Sequence, residues 1–100
     1  MDDRELLELA AKAAGINLLW RRGHPYRGTN NVRQDEWNPL TDDGDALRLA
    51  RDLLLKIDFA KKEVLYNTGA GGWDSCQWHL DCYRGAIIRA AAEMAKASHE

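Results

Sequence analysis

A chain of 100 residues, 45% of them hydrophobic, suffices for one compact domain of modest stability and is too short for two. Lysine and arginine number 14 against 16 aspartates and glutamates, and the net charge of −2 argues against both a general polyanion binder and a heavily acidic DNA mimic. No apolar run approaches the roughly 18 residues of a membrane span, and Met1-Asp2-Asp3-Arg4-Glu5 is the wrong start for a secretion signal, so a cytoplasmic chain with no membrane partner is expected.

Asp2, with Glu5 three residues on, makes a capping-box pattern that predicts a first helix from about Asp3 to Ala14. Leu6, Leu7, Ala10, Ala13 and Ala14 form its apolar stripe, and the small alanines let a neighbour approach closely. Gly15 can end the helix in the left-handed conformation while Ile16 folds back. Ile16, Leu18 and Trp20 then alternate as a short strand that breaks at Gly23-His24-Pro25. The return limb lies somewhere between Tyr26 and Arg33, with Asn30-Asn31 as an alternative tight turn.

Trp37-Asn38-Pro39-Leu40-Thr41-Asp42 reads as a chain reversal that launches a central helix. Pro39 holds Asn38 out of the helical region, and Thr41 or Asp42 caps the first turn. Asp42, Asp43 and Asp45 suit the positive end of the helix dipole, which explains them better than a calcium or magnesium loop. Ala46, Ala50, Leu53 and Ile57, with Leu47 and Leu54 beside them, form the expected inner face, and Trp37 should be buried at the junction.

Ile57-Asp58-Phe59 and Val64-Leu65-Tyr66 predict a second hairpin, followed by a glycine-rich loop over Asn67 to Gly72. Asp74 or Ser75 caps the last helix, which runs to about Ala97 with Tyr83, Ala86, Ile87, Ala90, Met94 and Ala97 inward. Cys76 and Cys82 fall within that helix, about 9 Å apart along its axis, too far for a disulfide. The expected fold is therefore α+β. Three helices pack on a small antiparallel sheet made of two hairpins, in the order α-ββ-α-ββ-α, with residues 1–100 forming a single domain.

Asp3 to Gly15, the Trp37-Asn38-Pro39-Leu40-Thr41-Asp42-Asp43-Gly44-Asp45-Ala46-Leu47-Arg48-Leu49-Ala50 block, and Arg84 to Glu93 resemble a group of small phage and prophage proteins related to the NinX-like phage proteins. The resemblance implies a phage origin and a role inside the infected bacterium. It carries over no catalytic residue. Cys76, Cys82, Gly85 and the length of the first hairpin depart from the group's pattern and leave any shared ligand open.

Residues 9–34 contain no acidic residue, whereas Trp20, Arg21, Arg22, His24, Tyr26 and Arg27 join positive charge to stacking rings. That hairpin suits nucleic acid, and it suits an acidic protein surface equally well. Trp73 and Trp78 near the glycine loop are further interface candidates, because four tryptophans exceed the needs of a small core. Cys76, His79 and Cys82 recur at intervals of three, yet no second cysteine pair completes a zinc site, so no metal and no cofactor are expected. With no nucleophile elbow or phosphate loop, no enzyme is expected either. The reading is a small accessory protein that binds a host or phage protein, with nucleic-acid binding as the alternative. Ile88, Ala91, Ala92 and Ala95 add a second apolar face to the last helix, which points to a homodimer with Ile88, Ala92 and Ala95 near its interface.

Overall fold

The computed structural model describes residues 2–28, 35–69, 71–79 and 82–97. They form α1 (Asp3–Ala13), β1 (Leu18–Arg21), β2 (His24–Arg27), β3 (Asp35–Glu36), α2 (Asp43–Asp52), β4 (Lys56–Asp58), β5 (Glu63–Asn67), β6 (Trp73–Gln77) and α3 (Tyr83–Ala97). The fold is α+β, with a difference in its sheets. The two hairpins do not merge into one sheet, because each acquires a third strand and becomes a separate antiparallel sheet, β1-β2-β3 and β4-β5-β6.

Both capped starts follow from the sequence. Asp2 accepts the Glu5 N–H at 2.8 Å, and Asp42 accepts the Asp45 N–H at 2.7 Å, so each helix begins with an orphan amide satisfied by a carboxylate. α1 and α2 also end alike. The Ile16 N–H reaches the Ala11 carbonyl and the Gly15 N–H that of Lys12; the Leu55 N–H reaches Ala50 and the Leu54 N–H reaches Arg51. This is the double-bonded helix end that requires a left-handed residue just past the cap. Gly15 takes it in α1 at φ 71°, whereas in α2 the position falls to Leu54 at φ 57°.

The first hairpin turns earlier than its Gly-His-Pro sequence suggests. Arg22 at φ 52° and Gly23 at φ 80° form a two-residue turn of the mirror-image kind, and β2 starts at His24. Pro25 survives inside the middle strand for a reason visible in the register. It stands opposite Trp20 at a pair that exchanges no hydrogen bonds, and its carbonyl accepts the Trp37 N–H on the β3 side at 3.0 Å. The turn considered at Asn30-Asn31 lies outside the described residues.

The segment expected to open the last helix is strand β6. Residues 73–77 pair one for one with β5 from Asn67↔Trp73 to Glu63↔Gln77, so long-range pairing overrides the capping signal of Asp74 and Ser75. The glycine-rich segment is the turn of this hairpin, held by the Thr68 N–H on the Gly72 carbonyl and by Asn67 accepting the Gly69 N–H. The free edge of β6 is partly blunted by the chain itself. The Asp74 carboxylate occupies the Ser75 N–H and Arg89 occupies the Gln77 carbonyl.

α3 is the central element. It packs against α1 through alanines on both helices, against β5 and β6 on the other side, and against α2 at its flank. Its wide apolar stripe is thereby used up inside the chain. Ile88, Ala92 and Ala95, expected near an interface between copies, are at most 1% exposed, so α3 offers no second face to another chain. On α2 the inner face is Ala46, Leu49 and Ala50, while Leu47 and, just past the helix, Leu54 are exposed. Trp37 is 2% exposed, as its place at the junction requires.

Leu54 is 78% exposed and sits where a side chain costs about 1–2 kcal/mol of backbone strain. Replacing it with glycine removes that strain and little burial, against the extra chain entropy of glycine. Leu54→Gly is therefore expected to raise stability in urea unfolding by about 0.5–1 kcal/mol. A loss of stability would contradict this account of the helix end.

Candidate binding surfaces

The basic, aromatic hairpin is split by its own pleat. Leu18, Trp20, Pro25 and Arg27 lie on one face, and Leu19, Arg21, His24 and Tyr26 on the other. Trp20 is half-buried against the core, and the Arg4 guanidinium covers its ring at 4.6 Å, so it is not free to stack on a base. Arg27 stands opposite Asp35, and Tyr26 opposite Glu36, which brings negative charge beside both. What remains on the solvent side is Arg21, His24 and a half-buried Tyr26, with Arg22 at the turn. The seven predicted binding residues thus do not converge.

The two later tryptophans also part company. Trp73 is 44% exposed on the outer face of the second sheet, where the Lys56 ammonium sits 4.3 Å above its ring. Trp78 is 7% exposed, a correction to its expected exposure. It follows β6 at the end away from the glycine turn, and its N–H donates to the Lys62 carbonyl. There it forms an edge-to-face cluster with Phe59 and Tyr83, with ring centroids 5.4 to 6.2 Å apart.

Phe59 is the residue that the sequence reading passed over. At the tip of the β4–β5 connection it rests on Tyr83 and Trp78 by one edge and is still 59% exposed. Tyr83 and Arg84 in turn converge on the Asp43 carboxylate at the start of α2, and Arg84 also donates to the Leu40 carbonyl at 3.0 Å. One helical turn beyond Asp43 stands Leu47, 46% exposed, and Leu54, 78% exposed, lies just past the far end of the helix. Phe59, Tyr83, Asp43 and Leu47 therefore follow one another across the surface. No single sequence window contains this series, because its members come from α2, the β4–β5 connection and α3.

The helix expected to carry Cys76, His79 and Cys82 does not exist. Cys76 lies on β6 and Cys82 just before α3, both as free half-buried thiols, and burial pushes the Cys76 thiol up from its ordinary value, which keeps it protonated and inert. Among the described residues no three His, Cys, Asp or Glu side chains group closely enough to hold a metal ion. The clefts are modest. One of about 510 Å³ lies between Gly15, Ile16, Arg27, Asp35 and Asp52, and one of about 320 Å³ between Arg4, Trp20, His24 and Leu40. Neither pairs a serine or cysteine with a histidine. Among the described residues no helix is long and apolar enough to cross a membrane. Comparison with protein-family models, curated proteins and solved structures found no match.

The Tyr83 hydroxyl and the Arg84 guanidinium hold the Asp43 carboxyl below its ordinary value of 3.8. Their contact consequently contributes stability above about pH 4 and loses it as the pH falls through the lowered value. Asp43→Asn should be less stable than the parent at neutral pH, with the difference vanishing in acid; a difference independent of pH would remove the ion pair from the account. At the alkaline end, burial and then the nearby Asp74 charge push the Tyr66 hydroxyl up to about 12. Its ionisation, followed by absorbance, should lag behind that of an ordinary tyrosine and coincide with loss of structure.

Proposed function

We propose that this chain is a small accessory protein that works by binding another protein through the surface formed by Leu47, Leu54 and Phe59, without chemistry of its own. The observation that carries the reading is the pairing of exposure with strain at Leu54. A leucine 78% open to water gains almost nothing from burial, yet its left-handed backbone costs strain that glycine would avoid. Leu47 and Phe59 are large apolar residues left exposed as well, and exposed apolar surface on a small protein marks interaction sites. The resemblance of the Trp37 to Ala50 block to small phage proteins makes a host or phage protein in the bacterial cytoplasm the partner of choice.

Capture from bacterial lysate should compare the parent with Leu47→Ser/Leu54→Gly/Phe59→Ser, all at exposed positions, after far-ultraviolet dichroism has shown the same helix content. Proteins retained by the parent and lost with the variant are the expected result. Identical sets from the two chains would overturn this surface.

A second reading, nucleic-acid binding by the first hairpin, draws support from Arg21, His24 and Tyr26 sharing the solvent-facing side with Arg22 at the turn. Phosphate contacts would make affinity fall steeply between low and moderate salt and drop further in Arg21→Ala/Arg22→Ala. No binding of single- or double-stranded DNA or RNA at low salt would dismiss it.

A further inference from the structure

Among the described residues β6 is an outer strand of the second sheet, with β5 on one side and no strand on the other. Two bonds at the ends of the β5–β6 ladder decide which of its backbone groups face outward. The Trp78 N–H donates to Lys62 and the Thr68 N–H to Gly72, so Asp74 and Cys76 bond to β5, whereas Trp73, Ser75 and Gln77 direct N–H and C=O to the open side. Such a row is a template for a further strand.

The strand that matches this row in register is β6 of a second copy. With a two-fold axis at Ser75 the two strands run antiparallel, Ser75 faces Ser75, and Trp73 of each copy faces Gln77 of the other. Each facing pair would exchange two hydrogen bonds. The Ser75 pair needs the N–H of both copies, and each Trp73–Gln77 pair needs a Gln77 carbonyl to receive the Trp73 N–H.

The chain itself takes up those groups. Asp74 accepts the Ser75 N–H at 2.8 Å, and Arg89 reaches across from α3 to donate to the Gln77 carbonyl at 2.8 Å. The central pair thereby loses both of its bonds, and each outer pair loses one. A carboxylate and a guanidinium also make stronger bonds than the neutral peptide groups that would replace them. The Asp74 carboxylate is held in turn by the Tyr66 hydroxyl, and Arg89 is half-buried on α3, so both are fixed from within the fold.

We infer that Asp74 and Arg89 guard this edge: they prevent β6 from pairing with β6 of a second copy and so keep the chain a monomer. The device is independent of the protein-binding surface proposed above. It gives two polar residues of the second sheet and α3 a role in solubility.

The test is light scattering of the parent, Arg89→Met and Asp74→Ala/Arg89→Met from micromolar to millimolar concentration, with backbone amide exchange followed on the same samples. Methionine keeps an apolar stem on α3 and removes the donor. The parent should stay near 11.3 kDa at every concentration. The double variant should climb towards twice that mass, with the Trp73, Ser75 and Gln77 amides exchanging more slowly as it does. Arg89→Met alone leaves the Asp74 contacts intact and should associate only at higher concentration. Constant mass in the double variant, or in Arg89→Met where dichroism shows that the double variant does not fold, would overturn the guard. So would a mass that rises while those three amides are unaffected, or a parent that already pairs through them.

Discussion

The carboxylate of Asp45 is the point on which the architecture turns. It is 9% exposed, an unusual place for a charge, and both oxygens are used: one accepts the Asn38 N–H at 3.0 Å and the other the Arg48 guanidinium at 2.7 Å. Its own N–H is held by the Asp42 cap. One aspartate therefore closes the chain reversal from the far side of the helix start, and among the described residues no buried side-chain nitrogen or oxygen is left unsatisfied. Asn38 completes the turn, its side chain accepting the Leu40 N–H and its carbonyl those of Thr41 and Asp42.

Three elements meet at this reversal. Trp37 enters it from the first sheet, bound to Pro25 by its N–H and buried by its indole. Leu40 and Asp43 leave it as the two anchors of Arg84, so the starts of α2 and α3 are joined. Once those starts are fixed, the small residues Ala46 and Ala50 with Leu49 face inward, and Leu47 on α2 and Leu54 just past its end are left in solvent. The chain then returns through β4 and delivers Phe59 against Tyr83, next to where α2 began. The proximity of Leu47 and Phe59 is a direct product of the latch: they are distant in sequence and meet across Asp43 and Tyr83 because the reversal and α3 bring them there.

The local signals in the sequence were readable where one residue type does one job. Asp2 and Asp42 as caps, Gly15 as the left-handed end of α1, and the inward alanines of α3 all behave as their chemistry demands. Signals that depend on a distant partner were not readable. Trp-Asp-Ser-Cys-Gln has neither alternating hydrophobicity nor β-branched residues, and it becomes β6 only because β5 offers a ladder to pair with. Asp35–Glu36 is a strand of two acidic residues for the same reason. The pattern on the last helix was read as one face too many, when α1 and the second sheet were waiting on either side of it. The candidate site suffered likewise: Trp20 and Arg27 are neighbours in sequence of Arg21 and Tyr26 and are separated from them by the pleat, whereas Phe59 and Leu47 are neighbours only through Tyr83 and Asp43.

The role given to Asp45 is most directly tested by urea unfolding of Asp45→Ala. Removing the carboxylate leaves the Asn38 N–H without its acceptor in a part-buried position, and a buried donor stripped of its partner costs about 1–3 kcal/mol. The account predicts a loss of that size, accompanied by faster hydrogen exchange at Asn38 and Leu40. A change within about 0.5 kcal/mol, the range of an ordinary surface substitution, with exchange unaltered would show that the reversal holds without Asp45 and would contradict the account.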